Sequence, residues 1–108
     1  MLREPPKRFF PEPLEFDWDE GNANKNWADH HVSQGECESA FFNDPKFVRN
    51  DHTHSQTEKR FICLGRTRHG RPLFISFNLR NEKVRVISAR DMTSREYVEF
   101  QKYEKENS

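Results

Sequence analysis

Between residues 73 and 80 the chain alternates strictly: Leu73, Ile75, Phe77 and Leu79 on one parity, Phe74, Ser76, Asn78 and Arg80 on the other. A period of two marks a β-strand, and the uniformly apolar odd set is expected to face helices. Residues 59–66 and 83–90 read as companion strands and 47–50 as a shorter fourth. Asn81-Glu82 gives a two-residue hairpin loop in which Asn81 tolerates positive φ, and His69-Gly70-Arg71-Pro72 marks a second turn.

Upstream the period changes. Ala23, Trp27 and His30 share one face of a helix that an Asp17–Glu20 capping pair opens and that ends near His30. Gly21, Asn22, Asn24 and Asn26 weaken it, so it depends on tertiary packing. Ser33 and Glu36 form a capping box flanked by Val32 and Cys37, a hydrophobic staple. Cys37, Ala40 and Phe41 are the buried stripe of that second helix, and Asn43-Asp44-Pro45 ends it. Thr93 and Glu96 repeat the box, with Met92 and Tyr97 as staple, before a last helix to about Lys105 that carries Tyr97, Val98 and Phe100. Residues 14–17 suit a short first strand. Residues 1–13 hold Pro5, Pro6, Pro11 and Pro13 and read as an arm, with Phe9 and Phe10 docked on a single domain spanning 14–108. The order is α+β: an antiparallel sheet of about four strands against two N-terminal helices and a C-terminal one.

Composition limits the core. Of 108 residues 32% are apolar, and mean hydropathy is −1.12, so ten Phe, two Trp and two Tyr must supply much of the buried area. No apolar run reaches membrane-spanning length, and no apolar segment follows the basic N-terminus as a signal peptide requires. Cys37 and Cys63 form no CxxC and are expected to be free thiols in the cytoplasm. The net charge of zero hides a division. Residues 59–95 carry ten Lys and Arg against Glu82 and Asp91, a net of +8, and the remainder carries −8. Such a half either binds a polyanion or pairs with the acidic half.

Four ordered stretches resemble the BrnT family of bacterial toxins. They are Phe16-Asp17-Trp18-Asp19-Glu20 with Asn26, His30, Val32 and Ser33 behind it; Ala40-Phe41-Phe42-Asn43-Asp44-Pro45; Glu58-Lys59-Arg60-Phe61 with Gly65-Arg66; and Ile87-Ser88-Ala89-Arg90 with Thr93-Ser94-Arg95-Glu96. The resemblance runs from Phe16 to about Lys102. It implies a RelE-like fold, ribosome-independent ribonuclease activity, and a ribbon-helix-helix antitoxin whose complex with the toxin represses their shared operon by binding operator DNA. Two places depart from the family pattern. Asp29-His30-His31 stands where the family has Lys-His-Gly, so His31 is expected to take a left-handed backbone or reshape the turn. Asp91 replaces a common cation. Both changes lower the attraction for phosphate.

Cleavage of RNA through its own 2′-hydroxyl needs a base, cations on the phosphorane and an acid for the 5′-oxygen. The candidates for catalysis are His30, Glu58, Arg60 and Arg90, and those for phosphate binding are Arg66, Arg80 and Arg95. Arg60 and Arg66 share strand parity, Arg80 and Arg90 end neighbouring strands, and Arg95 opens the last helix; several such groups at one end of the sheet would make an anion groove. By parity Arg90 sides with Val84, Val86 and Ser88, and Arg85 points the other way. Each has a plainer alternative: an ion pair for the arginines and Glu58, and packing beside Trp27 for His30. Tyr97 is assigned to the core. His52 and His54 lack a third ligand at metal spacing, and no cofactor motif is present. The alternative to a ribonuclease is a toxin-like module that only binds a partner.

Overall fold

The computed structural model describes residues 9–53 and 58–108, with only the backbone at 24–26 and 28. Helices α1 (Glu20–His30) and α2 (Gln34–Phe42) precede strands β1 (Phe47–Asn50), β2 (Phe61–Arg66), β3 (Pro72–Arg80) and β4 (Lys83–Asp91), and α3 (Ser94–Asn107) follows. The strands form an antiparallel meander in the order β1-β2-β3-β4. β3 is paired on both sides, as its alternation leads one to expect.

Leu73, Ile75 and Phe77 are fully buried on one face, with Phe61 and Cys63 of β2, Val84, Val86 and Ala89 of β4, and Val32, Cys37, Ala40 and Phe41 around α2. Phe9 and Phe10 dock on this cluster. Phe9 lies edge-on to Phe61 with centroids 4.9 Å apart, and Phe10 stacks on Phe77 at 5.9 Å. The start of the proline-rich arm, with Pro5 and Pro6, lies outside the described residues. The opposite face carries a second cluster: Phe47, Ile62 and Leu64 under Phe100 and Tyr103 of α3, with Phe74 and Met92 against it. Even strand parity is therefore half apolar, because a helix covers that face too.

Both expected capping boxes form. Ser33 accepts from the Glu36 N–H and Thr93 from the Glu96 N–H, and each glutamate accepts in return from its cap's N–H. The start of α1 lies two residues beyond the expected Asp17. There Asp19 accepts from Asn22 N–H at 3.1 Å, and Asn22 Oδ1 accepts from Asp19 N–H at 2.7 Å. The hairpin turn has positive φ at Asn81 (52°) and Glu82 (63°). His31 also adopts the left-handed conformation expected of it, with φ 52°. The expected first strand shrinks to a single parallel bridge between Phe16 and Val84.

One feature of β4 escapes simple alternation. A bulge shifts the register between Ser76 and Phe77, so that Phe77 faces Val86 while Ser76 faces Ser88. Ile87 is the extra residue. Val84 and Val86 keep their face, and Ala89 and Asp91 take it over beyond the bulge. Arg90, opposite Phe74, therefore leaves the Val84–Val86 face expected for it and joins Arg85, opposite Asn78, which keeps its expected orientation away from those valines.

Gly65 packs β2 under α2: a Cβ there would stand 3.1 Å from the Ala40 carbonyl oxygen. Gly65→Ala should lower stability by about 1–3 kcal/mol, because the obstacle is backbone; urea denaturation measures this, and an unchanged midpoint would show that α2 shifts freely. Burial pushes both thiols up, to about 12, chiefly by desolvation. Native protein should therefore resist a thiol reagent at neutral pH and react at both Cys37 and Cys63 once unfolded.

Candidate active site

The antiparallel order divides the expected site residues between the two ends of the sheet. Arg80 ends β3 and Arg90 stands one residue before the end of β4, and because these strands run oppositely their ends point apart. At nine residues per strand and ~3.3 Å per residue, the two ends are roughly 25 Å apart. One end holds Glu58, Arg60 and Arg80. The other holds His30, Arg66, Arg90 and Arg95. Of the arginines offered for an anion groove, Arg66, Arg90 and Arg95 share an end, and Arg60 and Arg80 lie at the other.

At the first end Arg80 Nη2 donates to Glu58 Oε1 at 2.6 Å. That hydrogen bond is the main reason why the Glu58 carboxyl lies below its ordinary range, which makes it a poor proton acceptor. Arg60 adds positive potential at Glu58. Arg85 nearby donates to Asp19 at 2.8 Å and lies 3.6 Å from Asp17.

The second end is built on the start of α3. Arg66, the last residue of β2, donates Nε and Nη2 to the two Glu104 oxygens at 2.7 and 2.9 Å, and Nη2 to the Tyr97 hydroxyl at 3.0 Å. These partners, Glu104 first, raise its pKa. Arg90 lies over the Phe74 ring at 3.9 Å and donates to both Glu96 oxygens at 2.8 and 3.0 Å. Glu96 Oε1 also accepts from the Thr93 N–H at 2.8 Å, so one carboxylate caps the helix and holds the arginine. Arg66 and Arg90 are thus anchored on consecutive residues of the first turn of α3, Tyr97 and Glu96. Arg95 on the same turn is exposed.

Arg71 is the residue that sequence reasoning missed. Its Nε and Nη2 donate to Asp91 at 2.7 and 3.1 Å, and its Nη1 to Glu36 Oε2 and the His31 carbonyl, both at 3.0 Å. Nη2 also reaches the His30 carbonyl at 3.3 Å. This guanidinium ties the end of α1, the cap of α2 and the end of β4 together. It lies in the Gly70 turn, where strand parity gives no guidance. Asp91 is thereby an internal partner, and its carbonyl accepts from Arg90 Nη1 at 3.1 Å. His30 lies near enough to lower the Asp91 pKa, after the larger effect of Arg71. His30 does not stack on Trp27; His31 does, at 5.4 Å.

Tyr97 departs from its assigned role as core filler: its ring packs under the Arg66 guanidinium, 5.2 Å from the centroid, and its hydroxyl is engaged. The available signal was the seven-residue spacing of Tyr97 and Glu104, two turns apart on one helix face. Among the described residues no group of three or more His, Cys, Asp or Glu is arranged to hold a metal; His54 lies outside them. No described helix is long and apolar enough to cross a membrane.

Guanidiniums held beside a capped helix start have the chemistry to bind phosphate oxygens. Residues 18–96 match the family model described as "Ribonuclease toxin, BrnT, of type II toxin-antitoxin system", and this chain belongs to that family. A search of curated proteins finds no match. Membership makes it a ribonuclease toxin by class, with an antitoxin as its partner.

The ion pairs set a pH dependence. Arg90 holds Glu96 low and Arg71 holds Asp91 low. Glu36 also lies low, since the Ser33 N–H and Arg71 outweigh its burial. Groups depressed in the folded state stabilise it above their ordinary values, 4.5 for Glu and 3.8 for Asp, and this stabilisation fades as pH falls through the lower folded values. The thermal midpoint should therefore hold level from neutrality to about pH 5 and then fall, less steeply for Glu96→Gln. A midpoint rising below pH 4.5 would contradict the assignment.

Proposed function

We propose that this toxin has a RelE-like fold and cleaves RNA without a ribosome or a metal, at the end of the sheet where α3 begins. The carrying observation is the anchoring of Arg66 and Arg90 on adjacent residues of one capped helix turn. Phosphate oxygens there meet two guanidinium forks and the positive end of a helix. The 2′-oxygen attacks phosphorus and the 5′-oxygen leaves, giving a 2′,3′-cyclic phosphate and a 5′-hydroxyl. Arg90 and Arg66 stabilise the phosphorane. The Tyr97 hydroxyl, held by Arg66, and His30, beside Asp91, are the two proton carriers on hand. Arg95 draws in the backbone electrostatically, while Arg60 and Arg80 at the far end extend the cationic track and Glu58 serves as the partner of Arg80.

The antitoxin in this reading is a ribbon-helix-helix protein that covers the Arg66–Arg90 end, acts in the cytoplasm and carries the complex to operator DNA. A second reading, a weak or inactive toxin that only binds its partner, is favoured by one observation. Arg66, Arg71, Arg80, Arg85 and Arg90 all have carboxylate partners within the chain.

The test compares Arg90→Ala, Arg85→Ala and Arg68→Ala in RNA cleavage with EDTA present, after thermal melts confirm folding. Arg90→Ala should cost about 2–4 kcal/mol of transition-state stabilisation, roughly 30- to 1,000-fold in rate. Arg68, an exposed turn residue, should cost under about 1 kcal/mol, as should Arg85, whose partners are Asp17 and Asp19. Equal rates for Arg90→Ala and Arg68→Ala would move the site elsewhere, and a folded wild type that does not cleave would establish the binding module.

A further inference from the structure

Trp27 is 58% exposed in a chain that packs nearly every other large aromatic ring. Its indole lies nearly parallel to the His31 imidazole, with centroids 5.4 Å apart and planes 27° from each other. His31 is held for this in a left-handed backbone conformation, φ 52°, that side chains other than glycine rarely adopt. Two features hold it there: Arg71 donates to the carbonyls of His30 and His31, and Val32, the next residue, is fully buried. The same Arg71 grips Asp91, whose carbonyl accepts from Arg90. A flat aromatic stack and the proposed phosphate site are therefore joined through one short chain of hydrogen bonds.

We infer that the Trp27–His31 stack is a seat for one unpaired nucleobase of the RNA whose phosphate lies at Arg90. This rests on the ribonuclease reading above. Nucleobases extend a stack of planar rings face to face, and such seats tolerate any sequence because every base has a π-face. A protein partner would need a contiguous apolar area instead. Among the described residues the other exposed large apolar side chains, Phe42 and Val98, lie at the end of α2 and on α3, away from the stack.

The probe is a short fluorescent 2′-O-methyl RNA, which binds but lacks the nucleophile, with inorganic polyphosphate as an anion without bases. Trp27→Ala should weaken RNA binding about 5- to 150-fold, the range for one lost stacked base. Trp27→Phe should restore most of it, and polyphosphate binding should be unchanged. In a Trp18→Phe background, where Trp27 is the remaining tryptophan and is excited selectively, unlabelled RNA should quench its emission and polyphosphate should not. Unchanged RNA affinity in Trp27→Ala overturns the seat, as does an equal loss for RNA and polyphosphate. A loss confined to the antitoxin also overturns it and makes the stack a protein contact. If the wild type cleaves RNA while Trp27→Ala binds it normally, only the seat falls; if the wild type neither binds nor cleaves RNA, the ribonuclease reading falls with it.

Discussion

A four-stranded sheet has two faces to keep dry, and this chain has apolar side chains enough to cover one fully and half of the other. On the first face α2 and the docked phenylalanines Phe9 and Phe10 close the core. On the second, Phe100 and Tyr103 of α3 reach Phe47, Ile62, Leu64 and Phe74, all on the β1 to β3 side. The β4 strip of that face carries Arg85, Ser88 and Arg90 instead. The proposed site lies along the boundary between the covered and uncovered halves, where Arg90 has an aromatic ring beneath it and a helix start beside it.

The limits of reading the sequence follow from the same geometry. β3 was legible because alternation is a property of the strand itself, and the boxes at Ser33 and Thr93 because capping is settled within four residues. The family resemblance, carried by local motifs, was legible for the same reason. The bulge opposite Ser76 and Phe77 was not, since it exists only in the pairing of two strands, and missing it put Arg85 and Arg90 on opposite faces. Arg80 and Arg90 were grouped as strand ends, but antiparallel pairing puts consecutive strand ends on opposite sides of the sheet. Arg71 and Tyr97 were overlooked because their partners come from α1, α2, β2 and β4, which only tertiary structure brings together.

Charge behaves likewise. The +8 segment left open a polyanion-binding surface or pairing with the acidic half, and its arginines do reach into that half: Arg66 to Glu104, Arg71 to Glu36, Arg85 to Asp19. Pairing fixes guanidinium orientation before any ligand arrives, so less rotamer entropy is lost on binding. It also means that an incoming phosphate competes with a carboxylate already in place.

Glu96 makes that competition more than local. Its Oε1 is shared between the backbone N–H of Thr93 and the Arg90 guanidinium. An anion that takes over Arg90 leaves this oxygen to the helix cap alone, and a frayed first turn of α3 leaves Arg90 with a looser partner. Occupancy at Arg90 and order at the start of α3 are thus thermodynamically linked, each altering the other by the same free energy. With the proposed ligand at Arg90, the last helix would report its binding as well as cover the second core.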